Sequence, residues 1–174
     1  PFMRAHCTID NVEREPWIQS ERVQAVIRAS INRRYDLIHY VYGAFEKATR
    51  EGTPIMRPMW MEFPDNPEWN AVETQFMFGD RVLVAPKIKT PSADQESRQV
   101  QPVDFNFPTG HRWYCMDDGE EFPQMGLGQW MWDVEIGDLQ QLVFIMGGSM
   151  NFSATRISMI RELRTSSVNG MKLL

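Results

Sequence analysis

Apolar residues in the first third of the chain recur at the helical period. After a polar stretch closed by Pro16 and Trp17, residues Val23, Val26, Ile27, Ile31, Tyr35, Ile38, Val41, Tyr42 and Phe45 fall three or four apart, while Arg22, Arg28, Arg33, Asp36, Glu46 and Lys47 lie mostly off that stripe. The pattern predicts an amphipathic helix over Glu21–Glu51, capped by Ser20 and ended by Gly52 and Thr53-Pro54. Unbroken it would run about 46 Å at ~1.5 Å per residue, and a bend or restart is expected near Asn32-Arg33-Arg34. Ahead of it, residues 1–7 read as the end of a buried strand entering a charged loop.

Beyond Pro54 the period changes. Ile55–Phe63 is rich in Met, Trp and Phe, Thr74–Phe78 is a short apolar run, and Arg81–Ala85 is strand-forming between Gly79-Asp80 and Pro86. Lys89–Gln101 has no periodicity and reads as an exposed connection. Further strands are predicted over Val103–Phe107, Arg112–Met116, Gln129–Ile136 and Leu142–Met146, separated by turn residues. Short strands at this spacing argue for an antiparallel sheet or sandwich. Ser149–Leu174 carries four basic residues against one acidic and has only a weak helical or disordered pattern.

The 174 residues are 43% apolar and 24% charged, enough for one or two small domains with a core. The net charge of −5 argues against a nucleic-acid partner, which needs a segregated basic surface. No apolar run approaches the ~20 residues of a membrane span. The first residue is Pro1, set in a strand-like start, so the sequence is read as a piece of a longer chain. Cys7 and Cys115 lack the spacing of a zinc site, and their pairing stays open. The twelve methionines read as core filling. No cofactor and no metal site are expected.

Three stretches together resemble glycoside hydrolase family 31, the α-glucosidase family. Pro1-Phe2-Met3-Arg4-Ala5-His6 is similar to the family's Phe-x-Arg-x-His segment at the end of the last barrel strand. Arg33-Arg34-Tyr35-Asp36-Leu37-Ile38 and Thr53-Pro54-Ile55-Met56-Arg57-Pro58-Met59-Trp60 are similar to the closing barrel helix and the strand after it. Gln75-Phe76-Met77-Phe78-Gly79-Asp80-Arg81-Val82-Leu83-Val84-Ala85-Pro86 is similar to a signature of the β-sandwich that follows the barrel. The resemblance, covering about residues 1–147, implies an α/β plus all-β chain. Residues 1–52 would be the last strand, loop and closing helix of a (β/α)8 TIM barrel, and 53–148 a proximal antiparallel β-sandwich. Residues 149–174 would form a divergent or truncated tail.

The implied activity is that of a retaining α-glucosidase acting on terminal α-linked glucose. Such hydrolysis needs two carboxyls about 5–5.5 Å apart, one nucleophile and one acid/base. By resemblance both aspartates lie on barrel strands ahead of the His6 segment, so this chain alone is expected to be inactive. Asp10, Glu13 and Glu15 match neither position and read as solvated loop charges. His6 is the residue that the family motif marks as substrate-binding, as a hydrogen-bond partner of sugar hydroxyls, with Arg4 and Trp17 as further candidates. Arg4 is read first as a partner for a barrel carboxylate.

His39 reads as a packed or surface histidine and His111 as exposed. Trp60, Trp69, Trp113, Trp130 and Trp132 read as packing residues before sugar-stacking ones. Arg14-Glu15-Pro16-Trp17 resembles the glucosidase II branch of the family. That branch implies a glucosylated N-glycan substrate, the endoplasmic-reticulum lumen and a regulatory β subunit as partner. Asn151-Phe152-Ser153 fits the N-glycosylation pattern. The alternative is a non-catalytic β-sandwich module for interaction or scaffolding. In either case the helix stripe lacks the partners of a full barrel, and self-association or loose packing of residues 1–52 is expected.

Overall fold

The computed structural model describes residues 3–122, 128–137, 140 and 142–147. Pro1 and Phe2 of the first motif, the tail from 149 and Asn151 lie outside the described residues. Helix α1 (Glu21–Asp36) starts where Ser20 Oγ accepts the Val23 N–H, and α2 (Ile38–Glu51) ends where Gly52 takes a left-handed conformation at φ 71°. The helix is therefore interrupted once, at Leu37, a few residues beyond the expected bend. There the Leu37 N–H is shared between the carbonyls of Arg33 and Arg34. The break separates two anchor points: Arg33 pairs with Asp117 and reaches the Met116 carbonyl, whereas Val41 is buried on a sheet.

That sheet has five antiparallel strands in the order β1 (Met56–Pro58), β2 (Phe76–Phe78), β3 (Val82–Ala85), β7 (Leu142–Met146), β5 (Trp113–Cys115). Side chains alternate across it. Met77, Leu83, Ala85, Phe144, Met146 and Trp113 point into the larger core, and Phe78, Val82, Val143 and Ile145 form the second core with Val41, Leu37 and Tyr40 of the helices. The central strands β3 and β7 are thus apolar on both faces, which is why they read as near-continuous hydrophobic runs.

Opposite the larger core stand β4 (Val100–Phe105) and β6 (Met131–Gly137), which pair antiparallel and contribute Val103, Phe105 and Ile136. The register shifts between Val103 and Phe105, and Asp133 takes φ 50° there. Asp104 Oδ1 accepts the Asp133 N–H at 2.9 Å, and Lys89 Nζ bonds both carboxylates at 2.7 and 2.6 Å, holding the bulge. Methionines do fill the core: Met59, Met77, Met116 and Met146 are buried.

Two expectations are corrected. Met3–Cys7 form no strand and are mostly exposed, because a barrel strand is stabilised by ladder partners and none is present among the described residues. Lys89–Gln101 is not a plain connection. It contains helix α4 (Ala93–Ser97), started by a reciprocal capping box between Ser92 and Gln95, and runs into β4.

Candidate functional site

The backbone from Met3 to Cys7 is outside any sheet, and Arg4 and His6 are exposed on it. The Arg4 guanidinium Nη2 lies 3.2 Å from His6 Nδ1. Arginine can only donate, so Nδ1 accepts and the proton of the neutral ring sits on Nε2. The consequence is a ring that presents an outward N–H donor. Among the described residues Arg4 meets His6.

The loop that follows folds on itself. Asn11 bonds Thr8 through both its backbone N–H and its side-chain amide, each at 3.0 Å. A 3-10 turn over Pro16–Ile18 then carries Trp17, which is 73% exposed. Gln24 of α1 donates to the carbonyls of Trp17 at 3.2 Å and Gln19 at 2.8 Å, so this turn is held from the helix rather than from the His6 segment. Asp10 and Glu13 are exposed. Glu15 departs from the expected solvated charge, because its Oε2 is buried without a hydrogen-bond partner.

The other candidates divide. His39 is exposed. His111 is half-buried rather than exposed, with its ring 5.9 Å from Phe63 and 6.4 Å from Trp113, edge-on to both. The turn context of His111 hid this, because its partners come from distant sequence. Trp69 and Trp113 are core residues. Trp132 is largely exposed and stacks on Trp130 at 4.9 Å, while Trp60 is partly exposed on α3 (Met59–Glu62). Both cysteines are free thiols, and burial pushes the Cys115 thiol up. Among the described residues no group of acidic, His and Cys side chains is placed to hold a metal, and no helix is long and apolar enough to cross a membrane.

Sequence reasoning missed the coupling of the helices to the sheet. Tyr40 Oη donates to the Phe78 carbonyl at 2.6 Å and accepts the Arg81 N–H at 3.3 Å, and Lys47 Nζ bonds Asp80 at 2.8 Å. Each links residues more than thirty positions apart, and neither carries a local pattern.

Comparison with known proteins adds the following. The family model described as glycosyl hydrolases family 31 TIM-barrel domain matches residues 1–44, and that of the glycosyl hydrolase family 31 C-terminal domain matches residues 52–150. Neutral alpha-glucosidase AB of Mus musculus is 41% identical over 86 residues, 49% of this chain and 9% of that protein. Probable glucan 1,3-alpha-glucosidase of Oryza sativa subsp. japonica is 34% identical over 122 residues, 70% of this chain and 12% of that protein. Among solved structures, a GH31 alpha-xylosidase from a soil metagenome, complexed with xylose, superposes with a TM-score of 0.64 at 26% identity. That superposition covers 87% of this chain and 19% of the xylosidase. A Flavobacterium johnsoniae GH31 dextranase complexed with glucose gives a TM-score of 0.64 at 27% identity, over 78% of this chain and 15% of the dextranase. The chain therefore spans about a tenth of the curated relatives it matches.

Proposed function

Because this chain belongs to glycosyl hydrolase family 31, we propose that it supplies the closing strand segment, helix pair and proximal β-sandwich of a retaining α-glucosidase. The observation that carries this reading is the consecutive match of a barrel model and a C-terminal-domain model along one chain. We divide the chain at Gly52, with residues 1–52 as barrel end, 53–148 as sandwich and 149–174 as tail. The left-handed cap at Gly52 supports that division.

In this proposal His6 hydrogen-bonds hydroxyls of the glucose to be cleaved, with Nε2 as donor, and Arg4 is a positioning residue that selects the tautomer. Trp17 offers an apolar ring at the substrate's edge. The nucleophile and the acid/base belong to barrel strands outside these residues, so the chain binds and orients but does not cleave. The names of the mouse and rice relatives support terminal α-linked glucose as substrate, with the 1,3 linkage included. The resemblance of Arg14-Glu15-Pro16-Trp17 to the glucosidase II branch further supports glucosylated N-glycans, the endoplasmic-reticulum lumen and a regulatory β subunit.

The test is hydrolysis of a chromogenic α-glucoside by the 174-residue chain and by the whole gene product. The whole product is expected to turn over and the chain to be silent; turnover by the chain alone overturns the proposal. In the whole product His6→Ala is expected to lower kcat/KM roughly 10- to 100-fold, the cost of one lost hydrogen bond at the reacting sugar. Silence of the whole product would favour the non-catalytic scaffold instead.

A further inference from the structure

A groove of about 710 Å³ opens on the β-sandwich, and its lining among the described residues lies between Glu62 and Gly147, away from the segment that carries His6. Its volume is within the range of small-molecule sites, roughly 300–1,000 Å³. One wall is aromatic. Phe63 is half-buried, Trp69 packs behind it at 6.4 Å, and His111 stands edge-on to it at 5.9 Å. The wall is fixed by the fold, since Phe63 ends α3 and Asn66 caps the 3-10 turn Pro67–Ala71 that carries Trp69.

The rim is polar and carries both signs, with the carboxylates of Glu62, Asp65 and Asp80 and the guanidinium-bearing Arg81. Glu62 is held by Arg57 at 2.7 Å and Asp80 by Lys47 at 2.8 Å. Each pair fixes a carboxylate at the groove whose remaining lone pairs can still accept. Asp65 adds an exposed carboxylate, and Thr109 and Asn66 bring a hydroxyl and an amide. Gly128 approaches Thr109 so closely that a Cβ there would lie 2.9 Å from the threonine methyl, which keeps the far wall tight.

This combination selects its occupant. A charged ligand of either sign meets like charge on this rim, three carboxylates or Arg81, and a wholly apolar ligand would strip water from these groups without replacing its hydrogen bonds. A neutral polyhydroxylated ring satisfies both surfaces: its hydroxyls donate to the carboxylates and its C–H face lies on Phe63 and His111. We infer that this groove is a second saccharide-binding site, built on the β-sandwich and independent of His6, for a neutral oligosaccharide of about two sugar units. The inference goes beyond the proposed function and does not depend on it.

The experiment is an amide and side-chain NMR titration of the 174-residue chain with maltose and with an α-1,3-linked glucose disaccharide. Saturable shifts of Asn66, Thr109 and His111 in the millimolar range are expected with at least one of the two. His111→Ala and Asp65→Asn should each weaken that binding several-fold, up to about tenfold, and His6→Ala should leave it unchanged. Asp65 is exposed, so its variant keeps the fold, and unshifted core signals of Leu83 and Ile136 confirm this for both. Absence of saturable shifts at the groove, or undiminished binding by both variants, overturns the inference. Sugar-induced shifts confined to residues 3–17 overturn it while leaving the His6 reading standing. Equal or tighter saturation by calcium chloride or inorganic phosphate overturns the assignment of a neutral saccharide.

Discussion

The hydroxyl of Tyr40 sits 2.6 Å from the carbonyl oxygen of Phe78, joining helix α2 to the turn between β2 and β3. The same oxygen accepts the Arg81 N–H, so one phenol closes two backbone groups at a site where water is largely excluded. Replacing it by Tyr40→Phe keeps the ring against Phe78 but leaves both groups without this partner. A loss of about 1–3 kcal/mol in urea unfolding is expected.

Burial pushes the Tyr40 phenol up to about 12 from 10.0, opposed by the Arg81 backbone bond. A group whose folded value is raised keeps its stabilising effect below the unfolded value and loses it as the pH rises through the folded one. Stability should therefore fall between about pH 10 and about 12, by about 2–3 kcal/mol. Unfolding curves across that window should show the slope in the native protein and its absence in Tyr40→Phe.

Gly79 has φ 63°, and a Cβ there would collide with the Tyr40 hydroxyl. Gly79→Ala adds left-handed strain of about 1 kcal/mol or more and displaces the hydroxyl as well. It should cost more than Tyr40→Phe, and a Gly79→Ala/Tyr40→Phe double variant should be less destabilised than the sum. Thermal melts of the four proteins form the cycle.

Gln75 is buried, and its carboxamide bonds both backbone groups of Asn106, accepting the N–H at 2.7 Å and donating to the carbonyl at 2.8 Å. Gln75→Leu keeps the volume but orphans both. A loss of about 2–4 kcal/mol is expected from guanidinium titration, with Asn106 amide exchange accelerated ahead of its neighbours.

Arg98 holds the Glu135 carboxyl at about 2, with Gln95 adding a second hydrogen bond, which ties α4 to β6. A lowered carboxyl stabilises above its ordinary value and loses that effect as the pH falls through the folded one. In Arg98→Ala the Glu135 side-chain signal should titrate at higher pH than in the native protein, where it titrates near 2, with the Gln95 bond keeping part of the lowering.

Local chemistry made much of this fold legible. Ser20, Gly52 and the strand Leu142–Met146 stand where their residue types place them, because a cap, a left-handed stop and an apolar run act within a few positions. The strand reading fails over Met3–Cys7 because strand formation depends on partners, and these five residues have none among the described residues. Periodicity does not reveal helix α4, because its five residues are four polar ones and Ala93, although Ser92-x-x-Gln95 is the signal that marks it. At the candidate site the motif marks His6 as a candidate, and only the structure shows Arg4 on its Nδ1. His111 was misplaced for the same reason that Tyr40 was missed: what buries each comes from far along the chain.

The helix stripe turns only part of its apolar surface to the sheet, leaving Tyr42 78% and Phe45 58% exposed. Concentration-dependent association is expected by sedimentation, and Tyr42→Asp with Phe45→Asp should shift it toward monomer. A monomer at all concentrations would contradict this.

Gly52 is the natural place for a protease to nick the chain, being exposed at a helix end with open space around its α-carbon. Yet Val41, Leu37 and Tyr40 remain seated on Val82, Phe78 and Ile145 across that peptide bond, with Lys47 fastened to Asp80. A clipped molecule should migrate as one particle on a sizing column and come apart only in denaturant, its two pieces behaving as subunits of a heterodimer that the gene happens to write as a single polypeptide.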